Sequence, residues 1–268
     1  MSNFVVLWGI YMSRVFSFLN KYKWIIAAVC AVLLLAGIII LAKELWNPGR
    51  EEVKAGVQYL KELESKDINS VEADVKAVKK QSQIDAIEAG ELSLWAQFSD
   101  YVIFGDSRTV GFSYHEFLDS QRVIADGGYT IADIATYEDR IVALNPSYLF
   151  LCTGLNDVSI GYWNTPEEYV TAYEEVVQEL MSKLPDTDIY INSIFPAQDP
   201  AFERSSKWLE IPDYNAALKE WCEEKGYHYI DNTQVYEEHR DLYESDGIHF
   251  RKDFYQYWAM NILAEVDE

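Results

Sequence analysis

A chain of 268 residues with 49% apolar and 15% aromatic side chains has the composition of a folded protein and lies far from the polar, charge-rich signature of disorder. Its formal net charge is −22, and the excess acid is confined to one part. Residues 1–93 carry 11 Lys and Arg against 11 Asp and Glu, whereas residues 94–268 carry 11 against 33. A field of that sign excludes nucleic acid as a partner, which needs a basic face, and excludes docking on an anionic membrane surface; a neutral substrate such as a sugar or an acyl ester fits better.

In chain order, residues 1–23 hold Arg14, Lys21 and Lys23 and no acid. Trp24 to Ala42, "WIIAAVCAVLLLAGIIILA", then carries no charge, and 19 residues at ~1.5 Å rise span roughly the hydrocarbon core of a bilayer. A buried core helix would show polar residues along one edge, and this run shows none. A cleaved signal peptide is the nearer competitor, but the run exceeds the ~7 to 15 residues of a signal's apolar region, and no small-x-small site precedes "KELWNPGR". The segment is therefore predicted to be a single-pass transmembrane anchor over 24–42. Lys43 and Arg50 beyond it are mixed with Glu44, Glu51 and Glu52, so the positive-inside bias places the N-terminus in the cytoplasm and the remainder outside the cell membrane.

Residues 43–93 are predicted to form a helical stalk. Val53, Val57 and Leu60, then Ile68, Val71, Val75 and Val78, recur at spacings of three and four, the helical period, and Asn69 with Glu72 has the spacing of a capping box. The stripe is short for a coiled coil, which usually runs over more heptads.

From Leu94 the pattern becomes short apolar runs alternating with amphipathic stretches. Strands are predicted over 101–104, 122–125, 148–153, 188–193 and 228–230, with the clearest helices over 166–183, 214–225 and 252–266. Alternating β and α with near-continuous apolar strands implies a parallel sheet covered on both faces. Residues 94–268 are thus expected to be a three-layer α/β/α sandwich with its site at the carboxyl ends of the strands. Of the cysteines, Cys30 falls in the apolar span, leaving Cys152 and Cys222; buried free thiols are the expectation, not a disulfide framework.

The unusual residues fall at those strand ends. "GDSRT" places Ser107 just past the first strand, where a Ser is as readily a helix N-cap as a nucleophile. It lacks the second glycine of G-x-S-x-G and the Gly-Lys-Ser/Thr ending of a phosphate loop. After the second strand, "ADGGYT" offers Gly127 and Gly128, whose backbone can approach a ligand with no Cβ in the way. After the third comes "TGLND" with Asn156. Near the C-terminus, "DGIHF" sets Asp246 three residues before His249, close enough for the carboxylate to hold one imidazole nitrogen while the other faces the pocket.

These are the parts of an acyl-transfer site. A serine hydroxyl needs a histidine to take its proton, and the histidine needs a carboxylate to fix its tautomer. The oxyanion that follows needs preset donors, which the N–H groups of Ser107 and Gly128 and the side chain of Asn156 would supply.

In that order, Ser107 in "GDS", the glycine of "ADGGYT", Asn156 in "GLND" and His249 in "DGIHF" resemble the four sequence blocks of the SGNH, or GDSL, hydrolase superfamily. The resemblance spans about residues 100–262. It implies a flavodoxin-like sheet, a Ser107–His249–Asp246 triad, no metal and no cofactor. One departure is Asp126, which stands where the family's second block usually has Asn, so that the choice between Gly127 and Gly128 as oxyanion donor stays open, with Gly128 preferred.

The other histidines, His115, His228 and His239, lack an acid at the right spacing and are read as packing or surface residues, and no His, Cys or carboxylate pair shows metal-ligand spacing. Tyr129, Tyr162, Trp163 and Trp208 fall in loops expected near the active face, where aromatic rings suit sugars, although core packing explains most such rings. Arg108 and Asp157, beside the catalytic candidates, are read as structural, with Arg108 also able to touch substrate. The leading expectation is a membrane-anchored serine esterase that removes a short acyl group, acetyl above all, from a carbohydrate or cell-wall glycan. The resemblance also allows an O-acyltransferase that works beside a multi-pass membrane acyl carrier. A non-catalytic tethered binding module is the reading from a different class.

Overall fold

The computed structural model describes residues 2–45, 53–54, 56–58, 61, 75, 78, 81–82, 84–87 and 89–266. The chain divides into two compact units, Met1–Ala73 and Asp74–Glu268. In the first, helix α1 (Ser2–Leu45) exposes apolar side chains such as Trp24, Val29, Leu33, Ile38 and Ile40. Among the described residues no single helix is long and apolar enough to cross a membrane; Ser17–Ile25 and Ala27–Ile40, bent by 46° about their junction, pass that test together on length and composition. Val53, Val57, Val75 and Val78 are helical and exposed, while Leu60, Ile68, Val71 and the Asn69–Glu72 pair lie outside the described residues.

In the second unit, five parallel strands, β1 (Tyr101–Gly105), β2 (Val123–Ala125), β3 (Tyr148–Cys152), β4 (Asp188–Asn192) and β5 (His228–Ile230), form one sheet in the order β2-β1-β3-β4-β5. Every residue of β1 is buried, as a central parallel strand covered on both faces must be. Its side chains alternate between two cores. Val102 and Phe104 pack with α3 (Ile134–Leu144), α5 (Pro166–Lys183) and α7 (Ile211–Lys225), the last preceded in the chain by the short α6 (Asp199–Phe202), through residues such as Ile141, Tyr173 and Leu218. Ile103 packs with the opposite layer, α8 (Thr233–Glu238) and α9 (Phe254–Glu265), through Val235 and Trp258.

Local chemistry explains the boundaries. Helix α5 begins where Thr165 accepts the Glu168 N–H with Pro166 at the first turn, and carries Glu167 and Glu168 at its start and Lys183 at its end, each the favoured residue for that position. Helix α7 begins at Ile211 rather than Tyr214, because Pro212 sits in its first turn, where a missing N–H costs nothing.

The strand order reverses at β1 and β3, the switch point at which open α/β sheets bind ligands. The register levels the ends there: Gly105 pairs with Ala125 on one side and Cys152 on the other. The turns that start at Asp106, Asp126 and Thr153 therefore leave the sheet side by side.

Candidate active site

The turn after β1 holds Ser107 half-buried. It caps no helix: α2 (Gly111–Tyr114) starts four residues later with Val110 at its cap position and no side-chain cap bond. Asp106 shapes the turn instead, accepting the Arg108 N–H at 2.9 Å. Burial pushes the Asp106 carboxyl up, while the Arg108 guanidinium and the N–H groups of Arg108 and Leu155 oppose that shift. One buried carboxylate thus links the serine turn to the turn carrying Asn156. Sequence reading passed over Asp106, although an acid flanking a strand-end serine is a candidate for this Asx-type bond.

Ser107 Oγ lies 3.0 Å from His249 Nε2, and His249 Nδ1 lies 2.5 Å from Asp246 Oδ2. The other carboxylate oxygen, Oδ1, accepts the N–H groups of Ile248 and His249 at 2.9 and 3.0 Å. Burial raises the Asp246 pKa, but these bonds and the imidazole outweigh it, and the net shift is downward. Asp246 is thus an anion that accepts on both sides, which sets Nδ1–H on the ring and a lone pair on Nε2 facing the hydroxyl.

The donors come from two neighbouring turns. Gly128 has φ +88°, a left-handed conformation suited to glycine. The Gly127 N–H donates to Asp126 Oδ1 at 2.7 Å, whereas the N–H groups of Ser107 and Gly128 meet no acceptor among the described residues. Asn156 Nδ2 donates to the Tyr129 carbonyl at 3.0 Å, which uses one amide N–H and leaves the second. Asn156 lies in the first turn of α4 (Leu155–Ile160), which follows Gly154, whose φ is +134° and where a Cβ would run into Ile194.

Asp157 ties the same loops together. It is fully buried and accepts the Ile131 N–H at 2.9 Å, and burial lifts its pKa to about 8. Between pH ~4 and about 8 the unfolded chain gives up this proton and the folded chain keeps it, so this group's contribution to stability falls as pH rises, by at most ~1.4 kcal/mol per pH unit. Asp157→Asn has no proton to lose and keeps an acceptor for Ile131. Its Tm relative to the parent is expected to rise by about 2 °C or more between pH 5 and pH 7, read by thermal denaturation; a gap that stays constant with pH would show that Asp157 is ionised in the folded protein.

Two proposed substrate contacts, Arg108 and Trp208, are corrected. Arg108 is 3% exposed, with Nη1 donating to the Phe195 carbonyl at 2.5 Å and the guanidinium 5.4 Å from the Phe250 ring centre. Trp208 is buried, its Nε1 donating to the Leu155 carbonyl at 2.8 Å. Tyr129 stacks on Phe104 and its hydroxyl is bonded to Tyr137. Arg108 Nη1 and Trp208 Nε1 each find a carbonyl inside the protein and their apolar bodies pack in the core, whereas Tyr129 is half-buried against it. Tyr162 is exposed beside the half-buried Trp163.

His115 packs among Tyr114, Phe117 and Tyr255, His228 stacks on Tyr190, and His239 on Tyr257. Cys152 and Cys222 are buried free thiols. Among the described residues no three His, Cys, Asp or Glu side chains group to hold a metal.

The family model described as GDSL-like lipase/acylhydrolase matches residues 103–257, from the first strand to the last helix. A solved structure described as a GDSL-like lipase from Parabacteroides merdae is 20% identical over 62% of this chain and 94% of its own, with a TM-score of 0.52. An acylhydrolase structure from Bacteroides fragilis is 18% identical over 62% of this chain and 85% of its own, with a TM-score of 0.50. At such identities the likeness is one of fold. No curated protein matches the chain in sequence.

Proposed function

Because this chain belongs to the GDSL-like lipase/acylhydrolase family and is a serine ester hydrolase, we propose that it is a membrane-anchored, extracytoplasmic esterase that removes short acyl groups, acetyl above all, from a carbohydrate or cell-wall glycan. The observation that carries the chemistry is the Ser107–His249–Asp246 line at the sheet's switch point.

The mechanism follows from that line. Ser107 Oγ attacks the ester carbonyl carbon while its proton passes to His249 Nε2, and Asp246 steadies the imidazolium. The carbonyl oxygen, now an oxyanion, is held by the N–H groups of Ser107 and Gly128 and the free N–H of Asn156. Collapse breaks the bond to the sugar oxygen, which takes the proton from His249 and leaves. Water then gives a proton to the same nitrogen and attacks the acyl carbon, and a second collapse returns that proton to Ser107 Oγ and frees the acid.

Exposure supports a short acyl group on a large alcohol. The His249 side chain is 41% exposed, and Asp126, Gly127 and Gly128 are exposed. An open site leaves room for a polymer and offers a long acyl chain little apolar surface. It also admits water freely, which favours hydrolysis over transfer to a glycan hydroxyl. Tyr162 is an exposed ring placed past α4, suited to stacking on a sugar. The anchor reading is supported by the uncharged run 24–42, in which Trp24, Val29, Leu33 and Ile38 are exposed, and by Arg14, Lys21 and Lys23 before it.

The full chain in detergent is expected to hydrolyse 4-nitrophenyl acetate at least about tenfold faster, in kcat/KM, than the octanoate ester, about 1.4 kcal/mol of discrimination. Equal rates would overturn the short-acyl assignment. Acetyl groups that appear on an added acceptor glycan, with little free acetate, would replace hydrolysis by transfer.

A further inference from the structure

Beneath the serine turn the interior is polar. Asp106, Arg108, Thr153 and Asn192, closed in by Phe195 and Trp258, line a cavity with about 10 Å³ of space for a water centre, close to what one water molecule takes. Arg108 and Asn192 are 3% and 1% exposed. Arg108 Nη1 is occupied by Phe195, but its Nε and Nη2, and Asn192 Nδ2, meet no acceptor among the described residues. The Asn192 carbonyl oxygen is taken, accepting from Trp258 Nε1 at 3.2 Å and from Asn232 at 3.4 Å, so its amide nitrogen cannot be turned away by a flip without losing those bonds.

Buried donors in native proteins find partners, and the remaining partner here is a molecule in the cavity. A guanidinium and an amide would also welcome an anion, but the Asp106 carboxyl forms part of the same wall, and the space is that of a single water. Arg108 is also built into both halves of the site. Its carbonyl accepts the Tyr255 hydroxyl at 2.8 Å, and its guanidinium packs on Phe250, the residue after His249.

We propose that the cavity holds one buried water that joins Arg108 and Asn192 to Asp106, and that Arg108 acts through this unit as a positioning residue for Ser107 against His249. The second half rests on the acyl-enzyme reading of Ser107; the first does not. A high-resolution crystal structure of the full chain is expected to show one ordered water within ~3.2 Å of Asn192 Nδ2 and of Arg108 Nε or Nη2. An empty cavity, or an anomalous peak there after a bromide soak, would overturn the water.

Arg108→Lys keeps the charge and loses the two inward N–H groups and the stacking plane. Turnover of an acetate ester per serine titrated by a fluorophosphonate is expected to fall at least about tenfold with KM within about twofold, because a misplaced nucleophile costs rate rather than binding. A merely structural Arg108 would lower the titrated fraction and leave turnover per site unchanged, which would overturn the positioning role. If the parent serine takes up no probe, the acyl-enzyme reading itself fails, while the diffraction result still decides the water.

Discussion

Ser107→Ala is expected to lower kcat/KM for an acetate ester by roughly 10⁴-fold to 10⁶-fold and to abolish fluorophosphonate labelling, with the fold unchanged. The size of the loss follows from the way the triad works as one unit. Once the nucleophile is gone, His249 and Asp246 have nothing to activate, and only the oxyanion donors and substrate binding remain, worth ~10³ to 10⁴ over water in comparable enzymes. Stability should hardly move. Ser107 is half-buried and, among the described residues, its one side-chain hydrogen bond is to His249, while Asp106, not Ser107, carries the bonds that shape the turn. A Tm within about 2 °C of the parent, alongside the lost activity, would separate chemistry from folding. Retained turnover in the variant would remove Ser107 from the mechanism and with it the acyl-enzyme.

The same contrast between local and distant partners governs what could be read from the chain. The strands of the second unit were legible because parallel strands buried on both faces are nearly unbroken apolar runs, and β1 to β5 lie within a residue of their expected ends. The Asp246–His249 pairing was legible because the two residues are three positions apart and their bond is local. Gly128 separated from Gly127 only when Asp126 was seen to occupy the Gly127 N–H, a bond that one sequence cannot specify over its alternatives. The failures are long-range. Trp208 is satisfied by a carbonyl 53 positions away and Arg108 by one 87 positions away, so a loop aromatic and a residue beside the nucleophile looked available to substrate when both are core. Helix α3 was not singled out, since its amphipathic stripe is short and its Asn145 stop, at φ 42°, replaces the more recognisable glycine.

The second large effect is expected at Asp246→Asn, where kcat should fall by about 10⁴-fold near neutral pH with KM little changed, the loss seen when the same substitution is made in a serine protease triad. The geometry dictates which way the new amide points. Asp246 Oδ1 accepts two backbone N–H groups, from Ile248 and His249, and an asparagine keeps those bonds only with its oxygen in that place. Its NH₂ group must then face His249 Nδ1, where the carboxylate oxygen stood at 2.5 Å. A donor in that position demands a lone pair on Nδ1 and drives the ring proton to Nε2, so that His249 presents N–H to Ser107 and cannot take its proton. The loop and the substrate face are preserved, which is why the loss falls on kcat.

The pH dependence of stability gives an independent reading of the same residue. The folded pKa of Asp246 is depressed, so the carboxylate stabilises the fold above its unfolded value near 3.9 and that contribution is lost as pH falls through the folded pKa. The Tm gap between parent and variant should therefore narrow as pH drops below ~4. A variant with unchanged kcat at neutral pH would show that the tautomer is fixed by something other than Asp246, and a gap that persists in acid would show that the carboxylate's bonds to Ile248 and His249 do not depend on its charge.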